Sequence, residues 1–166
     1  MKIKVMLCLL AFAVVCVARA ADKKLWAKSF LGKKAPDFVV EKWLTAEPDR
    51  HGKFVLIDFW ATWCPPCRKS IPDLNAFQKK FSKQLVVIGV SDEKEETVRK
   101  FNDPKLEYAN AIDTQHRMYS KLEVTGIPHC ILVDPQGIVR WEGFPLLDGE
   151  ELTDKVIADV IAKYSK

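Results

Sequence analysis

The sequence predicts an α/β domain with a central mixed β-sheet flanked by helices, and three patterns support this fold class. Two short apolar runs that contain β-branched residues, 54–59 and 85–90, are bounded by polar or turn residues and are typical of buried parallel strands. The segment between them has the helical periodicity of a βαβ crossover. Two later apolar runs, 130–133 and 138–142, flank an Asp-Pro-Gln-Gly turn signature and predict an antiparallel hairpin.

The crossover helix follows from the spacing of its apolar residues. These residues recur at roughly helical intervals and are Ile71, Leu74, Phe77 and Phe81. Pro72 lies inside the predicted helix, where it removes one backbone hydrogen bond and should kink the axis. We expect the helix to tolerate this kink.

The next elements are shorter. Asp92 followed by Glu95 is an N-cap pattern that predicts a helix over residues 93–101, with Val98 and Phe101 facing inward. Its charged residues are expected to form a solvated face. Beyond it, the sequence predicts a short strand over residues 107–112 and a helix over residues 115–122.

A final helix is predicted near the C-terminus. Asp148, with Glu151 three residues later, resembles another capping pattern. The apolar stripe of the predicted helix comprises Leu152, Val156, Ile157, Val160 and Ile161. Together with the length of 166 residues and a hydrophobic content of 48%, these elements indicate one globular domain with a sizeable core.

The first twenty residues are expected to be a secretory signal peptide, so the domain would span residues 21–166. Lys2 and Lys4 precede an apolar stretch over residues 5–18, and Ala18-Arg19-Ala20 is a small-residue cleavage pattern. The stretch is shorter than the ~20 apolar residues of a membrane span, although an uncleaved anchor stays an alternative. We therefore expect a periplasmic or otherwise exported protein.

Removal of the signal peptide would change both the charge and the cysteine count. The formal net charge falls from +4 to +1, which leaves no basic excess for nucleic-acid binding. Cys8 and Cys16 would leave with the signal, and three cysteines would remain. Export places these three in an oxidising compartment, where a Cys-x-x-Cys pair is either a structural bridge or a working dithiol.

Cys64 and Cys67 lie one helical turn apart, directly after the first predicted strand. A cysteine at the start of a helix lies at the positive end of the helix dipole, which lowers the pKa of its thiol and populates the attacking thiolate. Cys64 is therefore the candidate nucleophile, and Cys67 is placed to resolve the mixed disulfide. Pro65 and Pro66 form the active-site loop between them, and they lack N–H groups, so the Cys67 N–H is the expected partner of the Cys64 sulfur.

Asp58 lies six residues before Cys64 on a predicted strand of otherwise apolar side chains. Burial would raise the pKa of its carboxyl, which could then accept the Cys67 proton during resolution. A structural carboxylate bonded to backbone is the alternative.

Four further residues are candidates around this pair. Trp63 and Trp60 flank the motif, where their bulk could shield the disulfide and bind clients, and a core role for Trp60 is equally consistent with the sequence. His129 could approach the thiols and favour the thiolate, or be a strand-edge histidine. Cys130, at the start of an apolar strand, is expected to be a buried inert thiol. The alternative is that it is a third redox partner beside Cys64 and Cys67.

These motifs resemble the thioredoxin superfamily, and in particular the exported TlpA/ResA-like thiol-disulfide oxidoreductases. The resemblance rests on residues 58–67, on Pro72, on Gly126-Ile127-Pro128 before a hairpin, and on the Gly-Lys-Lys-Ala-Pro-Asp-Phe opening at 32–38. It implies a thioredoxin-like fold with a central insertion of one helix and one strand.

The resemblance also implies a cis peptide bond between Ile127 and Pro128 that faces the active-site cysteines. A cis bond before proline costs only about 0.5 to 1 kcal/mol, and a plain trans loop is the alternative. The bend would present the backbone of Ile127 beside Cys64, where an extended substrate could pair as a short added strand. Trp63, Ile127 and Pro128 are therefore the expected substrate-binding residues.

The same resemblance implies the partners. A membrane thiol reductase would keep the pair reduced, and the protein would reduce disulfides in exported clients such as apocytochrome c. An oxidase or isomerase role is the alternative, because redox-active dithiols on one fold span roughly −270 to −120 mV. We expect no cofactor beyond the Cys64–Cys67 disulfide, no metal, and a monomer.

Three other classes compete with this interpretation. A copper or zinc carrier could use Cys64 and Cys67, but it usually needs a further ligand where Pro128 stands. A peroxiredoxin shares the Ala-Pro-Asp-Phe opening, but its peroxidatic cysteine normally follows a Thr-x-x-Cys pattern, whereas Ala61 stands three residues before Cys64. A purely structural disulfide would not need the proline loop and the buried acid.

Overall fold

The computed structural model describes residues 25–165, which form one mixed β-sheet with flanking helices. The predicted signal peptide, residues 1–20, lies outside the described residues. The strands are β1 (Lys42–Trp43), β2 (Phe54–Trp60), β3 (Leu85–Ser91), β4 (Ala109–Ile112), β5 (His129–Val133) and β6 (Val139–Gly143). The helices are α1 (Pro65–Lys80), α2 (Glu95–Lys100), α3 (Arg117–Lys121) and α4 (Asp154–Tyr164). Within residues 25–165, every helix is too short or too polar to span a bilayer.

The sheet is mixed, as the sequence predicts. Its strand order is β1-β4-β3-β2-β5-β6. The strands β2, β3 and β4 run parallel, whereas β1 is antiparallel to β4, and β5 is antiparallel to both β2 and β6. The predicted βαβ unit is confirmed as β2, α1 and β3, with Phe54 opposite Leu85 and Trp60 opposite Ser91.

The helix α1 follows the predicted pattern and continues through Pro72, which is exposed. Its buried face comprises Cys67, Ser70, Ile71, Leu74 and Phe77. The predicted inward residue Phe81 closes the helix as its C-cap, and its backbone N–H donates to the Phe77 carbonyl at 2.9 Å. The apolar stripe therefore fixes which side of α1 faces the sheet.

The hairpin of β5 and β6 is also confirmed, and Asp134 makes its turn. The Asp134 Oδ1 atom accepts hydrogen bonds from the backbone N–H groups of Gln136 and Ile138, each at 2.9 Å. Gly137 has a φ of 83°, a left-handed conformation that side-chain-bearing residues rarely adopt. The turn chemistry of this segment therefore sets the pairing of the two strands.

The predicted cap of the second helix is wrong. The helix α2 begins at Glu95, and its N-cap is Lys94, which makes no side-chain capping bond. Residues 92 and 93 stay outside the helix, because the Glu93 carboxylate is bonded to Thr62 in another part of the chain. Val98 is buried as predicted, whereas Phe101 follows the helix and is only partly buried.

The predicted cap of the last helix is wrong as well. Thr153 is the N-cap of α4, and its hydroxyl oxygen accepts the Val156 N–H at 3.3 Å. The residues around Asp148 instead form turns, in which the Leu152 N–H donates to the Pro145 carbonyl at 2.9 Å. Leu152 is buried but precedes the helix, so the buried stripe of α4 consists of Ile157 and Ile161.

The remaining elements agree with the predictions in kind and differ in extent. The strand expected over 107–112 is β4 (Ala109–Ile112), and the helix expected over 115–122 is α3 (Arg117–Lys121). The strand β1 was not predicted, because two residues are too short to show a pattern. The helix α2 and the strand β4 follow β3 in the chain, and their assignment as the insertion of TlpA/ResA-like proteins stays a prediction.

The two faces of the sheet bury different clusters. One cluster joins α1 and α4 to β2 and β5, and it includes Trp60, Cys64, Cys67 and Cys130. The opposite cluster contains Phe59 with residues of α3. Because side chains alternate along a strand, Asp58 lies on the same face as Trp60 and the cysteines. The buried acid and the three cysteines therefore share one side of the sheet.

Candidate active site

Cys64 and Cys67 form a disulfide at the N-terminus of α1. Cys64 is the N-cap residue, and the two Cα atoms lie 5.3 Å apart. In this bridged form both cysteines are buried, with Cys64 2% exposed and Cys67 0% exposed. The pairing expected from the motif is present, and the roles of nucleophile and resolving thiol stay predictions.

The two prolines after Cys64 determine which backbone N–H groups can donate to its sulfur. Pro65 and Pro66 occupy the first helical positions and are exposed. Because neither has an N–H group, the first donor that α1 offers is the N–H of Cys67, which donates to the Cys64 Sγ atom at 3.2 Å. This bond confirms the donor expected from the sequence.

A carboxylate that was expected to be solvated holds the segment before Cys64. The Glu93 carboxylate accepts the Thr62 backbone N–H at 2.6 Å and the Thr62 hydroxyl at 2.7 Å. The Ser91 hydroxyl also donates to Glu93, at 3.3 Å. The signal for this contact is indirect: Trp60 lies opposite Ser91 in the sheet, so the residues after β2 and β3 must meet.

The two tryptophans have different environments. Trp63 is 68% exposed, next to Cys64 in the sequence, and is available to contact a client. Trp60 is 0% exposed, and its indole N–H donates to the Asn110 Oδ1 atom at 3.3 Å. Of the two interpretations of Trp60, the core role is confirmed and the docking role is wrong.

The Ile127–Pro128 peptide bond is cis, as the resemblance implied. Pro128 is buried, and Ile127 is partly buried and packs against both core clusters. His129 lies opposite Phe59 in the sheet, so the residues that precede it lie beside the end of β2 and the segment that leads to Cys64. The fold therefore brings this loop to the same edge of the sheet as the disulfide.

His129 does not share the face of the cysteines. It is fully buried and stacks on the Phe59 ring, with centroids 6.1 Å apart. Its neighbour Cys130 points to the opposite face, where it lies across from Asp58. The register of β5 therefore gives His129 a packing role against Phe59.

Asp58 is fully buried, and its pKa is strongly changed. Burial raises the pKa of the carboxyl from 3.8 to about 7, against the smaller opposing effects of the Cys130 thiol and the Tyr108 hydroxyl. A carboxyl with this pKa exchanges its proton near neutral pH, which is the property that a proton acceptor requires. Its predicted burial is confirmed, and its role in catalysis stays a prediction.

Cys130 is the free cysteine of the described residues, and it is bonded to Asp58. The Cys130 Sγ atom donates to Asp58 Oδ1 at 3.3 Å, and both residues are 0% exposed. Burial, followed by the charge of Asp58, raises the pKa of the thiol well above its ordinary value. The prediction of a buried thiol is confirmed, but the sequence did not reveal its partner.

Tyr108 is a further polar residue beside Asp58 that sequence reasoning missed. It is 5% exposed, and burial together with Asp58 and Cys130 raises the pKa of its hydroxyl well above the usual value. Gly89 leaves space for the rings of Trp60 and Tyr108, since a Cβ atom there would lie 2.9 Å from Trp60 Nε1 and 3.1 Å from Tyr108 Cε2. A glycine opposite a buried acid is the signal that could have indicated a close approach here.

Among residues 25–165, no group of three or more His, Cys, Asp or Glu side chains is arranged to hold a metal ion.

Comparison with known proteins agrees with the resemblance described above. The model of the AhpC/TSA family matches residues 31–142. The thioredoxin-like protein YneN of Bacillus subtilis is 31% identical over 137 residues, which cover 77% of this chain and 79% of that protein. The thiol-disulfide oxidoreductase ResA of Bacillus thuringiensis is 35% identical over 125 residues, which cover 72% and 70%. A solved structure of a candidate thiol:disulfide interchange protein DsbE from Chlorobium tepidum has a TM-score of 0.67 and 31% identity, with 82% of this chain and 98% of that chain covered.

Proposed function

Because this chain belongs to the AhpC/TSA family of thioredoxin-like proteins and is a thiol-disulfide oxidoreductase, we propose that it reduces disulfides in exported client proteins. The observation that carries the proposal is the Cys64–Cys67 disulfide at the N-terminus of α1, at the sheet edge where the Ile127–Pro128 loop lies. A bridge at this position can be opened and closed without unfolding the domain, because its two cysteines are only one helical turn apart.

The reaction begins with the reduced protein. The Cys64 thiolate attacks one sulfur of a client disulfide, which forms a mixed disulfide and releases one client thiolate. Cys67 then gives its proton to Asp58, and the Cys67 thiolate attacks the Cys64 sulfur. The mixed disulfide breaks, the Cys64–Cys67 bridge forms, and the second client thiolate leaves. The client gains two electrons and the protein loses two.

Asp58 is the proton acceptor in this sequence of steps. By the alternation of side chains along β2, it lies on the face of the sheet where Trp60 and both cysteines pack. Its carboxyl has a pKa of about 7 because it is buried. Below this pH the carboxyl already holds a proton and cannot accept another. Above it, the carboxylate can take the Cys67 proton and release it to solvent later.

The client binds at the exposed rim of the disulfide. Trp63 offers a large exposed apolar surface next to Cys64, and the partly buried Ile127 precedes the buried Pro128 at the same sheet edge. An extended client segment would pair with the backbone of Ile127 as a short added strand, which gives affinity with little sequence preference. This mode suits an enzyme that acts on several clients.

Export and regeneration complete the proposal. Residues 1–20 direct the chain out of the cytoplasm, and a membrane thiol reductase returns two electrons and two protons to the Cys64–Cys67 bridge. Apocytochrome c is the client that the resemblance suggests, and the protein works as a monomer. The cycle uses no cofactor besides the bridge itself.

Two other functions remain as alternatives. An oxidase would use the same steps in reverse, because the direction depends on the reduction potential, and such potentials span roughly −270 to −120 mV on related folds. An isomerase would use the attack of Cys64 to rearrange client disulfides without net electron transfer. A copper or zinc carrier would use the same pair as ligands. The potential and the captured client separate these functions.

The test is to trap the client. In the Cys67→Ser variant, the mixed disulfide on Cys64 cannot be resolved, so exported clients should accumulate on it and be released by a reductant. The Cys64→Ser variant is the matched control, and it should capture nothing. Capture of clients together with a potential near the reducing end of the range would support the proposal. A potential near the oxidising end would favour the oxidase, and the absence of any adduct would overturn the oxidoreductase mechanism.

A further inference from the structure

Asp58 has two neighbours in the sheet, and only one of them can donate a hydrogen bond from its side chain. On one side, Asp58 lies opposite Gly89 of β3, which has no side chain. On the other side, it lies opposite Cys130 of β5. Cys130 Sγ lies 3.3 Å from Asp58 Oδ1, and no part of either residue is exposed to solvent. The register of the sheet therefore pairs a buried thiol with the buried acid.

The two oxygens of Asp58 have different environments. Oδ1 accepts the hydrogen bond from Cys130, whereas Oδ2 is buried and has no hydrogen-bond partner within the described part of the chain. The Tyr108 hydroxyl interacts with the carboxyl but forms no hydrogen bond of standard geometry among residues 25–165. One oxygen is thus held in place, and the other is left to accept a proton.

The titratable groups that act on Asp58 come from three elements. They are Cys130 on β5, Tyr108 in the segment before β4, and Tyr119 on α3. The cysteines of α1 do not titrate while they form the disulfide. Neither tyrosine ionises near neutral pH, because burial raises the pKa of both hydroxyl groups. The Cys130 thiol also stays neutral, and among these groups it is the one that forms a hydrogen bond of standard geometry with the carboxyl.

We propose that Cys130 is a positioning residue, whose thiol holds Asp58 Oδ1 so that Oδ2 receives the proton of Cys67. This inference rests on the proposed role of Asp58 in the reaction. A thiol is a weak hydrogen-bond donor, so it orients the carboxylate without stabilising its charge as strongly as a hydroxyl would. The carboxyl then keeps a proton affinity that lets it both accept and release a proton. Cys130 lies outside the redox pair, because the disulfide joins Cys64 and Cys67 and leaves Cys130 as a free thiol.

Serine and alanine substitutions at position 130 separate the effect of the hydrogen-bond donor from the effect of side-chain volume. Both are smaller than cysteine by similar amounts, and only serine keeps a donor. In Cys130→Ala the carboxylate loses its hydrogen bond, so the pKa of Asp58 should rise by about half a pH unit or more. In Cys130→Ser the pKa should return to the value of the unchanged protein or fall below it.

The measurement is a pH titration of the aspartate carboxyl carbons by ¹³C NMR, on the oxidised full chain. Asp58→Asn identifies the Asp58 signal. The expected order of Asp58 pKa values is Cys130→Ala above the unchanged protein, with Cys130→Ser at or below it. The pH midpoint of mixed-disulfide release should shift upward in Cys130→Ala by the same amount. Equal Asp58 pKa values in all three proteins would overturn the inference.

A second measurement uses the natural Cys130, so it does not depend on whether the variants at position 130 fold. The S–H stretch of Cys130 in the infrared spectrum should move when Asp58 is titrated, and it should move again in Asp58→Asn. A band that is unaffected by either change would show that the thiol is not bonded to the acid, and it would overturn the inference. Failure of this inference can be distinguished from failure of the proposed role of Asp58. If Asp58→Asn leaves the rate of the resolving step unchanged, the role of Asp58 fails, whatever the S–H band shows.

Discussion

Glu93 accepts two hydrogen bonds from Thr62, one from its backbone N–H at 2.6 Å and one from its hydroxyl at 2.7 Å. Thr62 lies two residues before Cys64, so this carboxylate anchors the segment that carries the attacking sulfur. Charge-assisted hydrogen bonds to a partly buried carboxylate are stronger than those between neutral groups. The loop after β3 therefore fixes the position of the loop after β2.

The Glu93→Gln substitution should weaken this anchor. An amide has one acceptor oxygen, and its NH₂ group cannot accept the second Thr62 donor. We expect the free energy of unfolding to fall by about 1 to 2 kcal/mol, measured by urea denaturation. Glu96→Gln, at an exposed position of α2, is the control and should change stability by less than about 0.5 kcal/mol. Similar effects of the two substitutions would contradict the anchoring role.

The Asp58→Asn substitution should slow the resolving step, because an asparagine cannot accept the Cys67 proton. The effect should be largest above the pKa of about 7, where Asp58 is ionised, and should shrink below it. At pH 8 we expect a loss on the order of 10²-fold in the rate at which a mixed disulfide on Cys64 releases its partner. Stopped-flow release across pH 6 to 8 measures this rate, and identical rates for both proteins over that range would exclude the role.

The same carboxyl should make stability depend on pH. The pKa of Asp58 is raised from 3.8 to about 7, so the folded protein binds more protons than the unfolded chain between these values. Stability is therefore highest below pH 3.8, declines as the pH rises because the buried carboxyl must lose its proton, and levels off above about pH 7. The total loss is on the order of 4 kcal/mol, and Asp58→Asn should remove this dependence.

Urea denaturation at several pH values between 4 and 8 tests this expectation. Asp73→Asn, at an exposed position of α1, is the matched control, and its free energy of unfolding should depend on pH as in the unchanged protein. If the free energy of unfolding of Asp58→Asn still falls with pH in the same way, another group causes the dependence.

The two tryptophans of the motif should respond in opposite ways to alanine substitution. Trp60 is 0% exposed, so Trp60→Ala should cost about 3 to 5 kcal/mol of stability. Trp63 is 68% exposed, so Trp63→Ala should leave stability nearly unchanged and raise the KM for a client disulfide roughly 10-fold. Urea denaturation and steady-state kinetics measure the two effects. An unchanged KM in Trp63→Ala would remove Trp63 from the client-binding surface.

The parts of the fold that the sequence predicted are those with strong local signals. The apolar runs of β2 and β3 and the stripe of α1 reflect burial, which repeats along an element and is visible in one segment. The Cys64–Cys67 pairing depends on a separation of three residues, which a single turn of helix satisfies. These features need no knowledge of the rest of the chain.

The features that the sequence missed depend on contacts between distant segments. The expected cap at Asp92 is wrong because Glu93 is bonded to Thr62, which only the register of β2 and β3 brings close. In the same way, the burial of Asp58 was predicted, but its bond to Cys130 requires the register of β2 and β5. A local capping pattern cannot reveal such tertiary contacts.

The most direct test is to equilibrate the protein in glutathione buffers of graded potential and to determine its thiol state by mass spectrometry. We predict a single two-electron transition between the bridged and open forms of Cys64 and Cys67, at a potential between roughly −270 and −120 mV. In Cys67→Ser, glutathione should remain attached to Cys64, while Cys130 stays unmodified in the folded protein. A pair that never opens in these buffers, or that opens without Cys64 ever forming an adduct, would contradict the thiol-disulfide exchange mechanism.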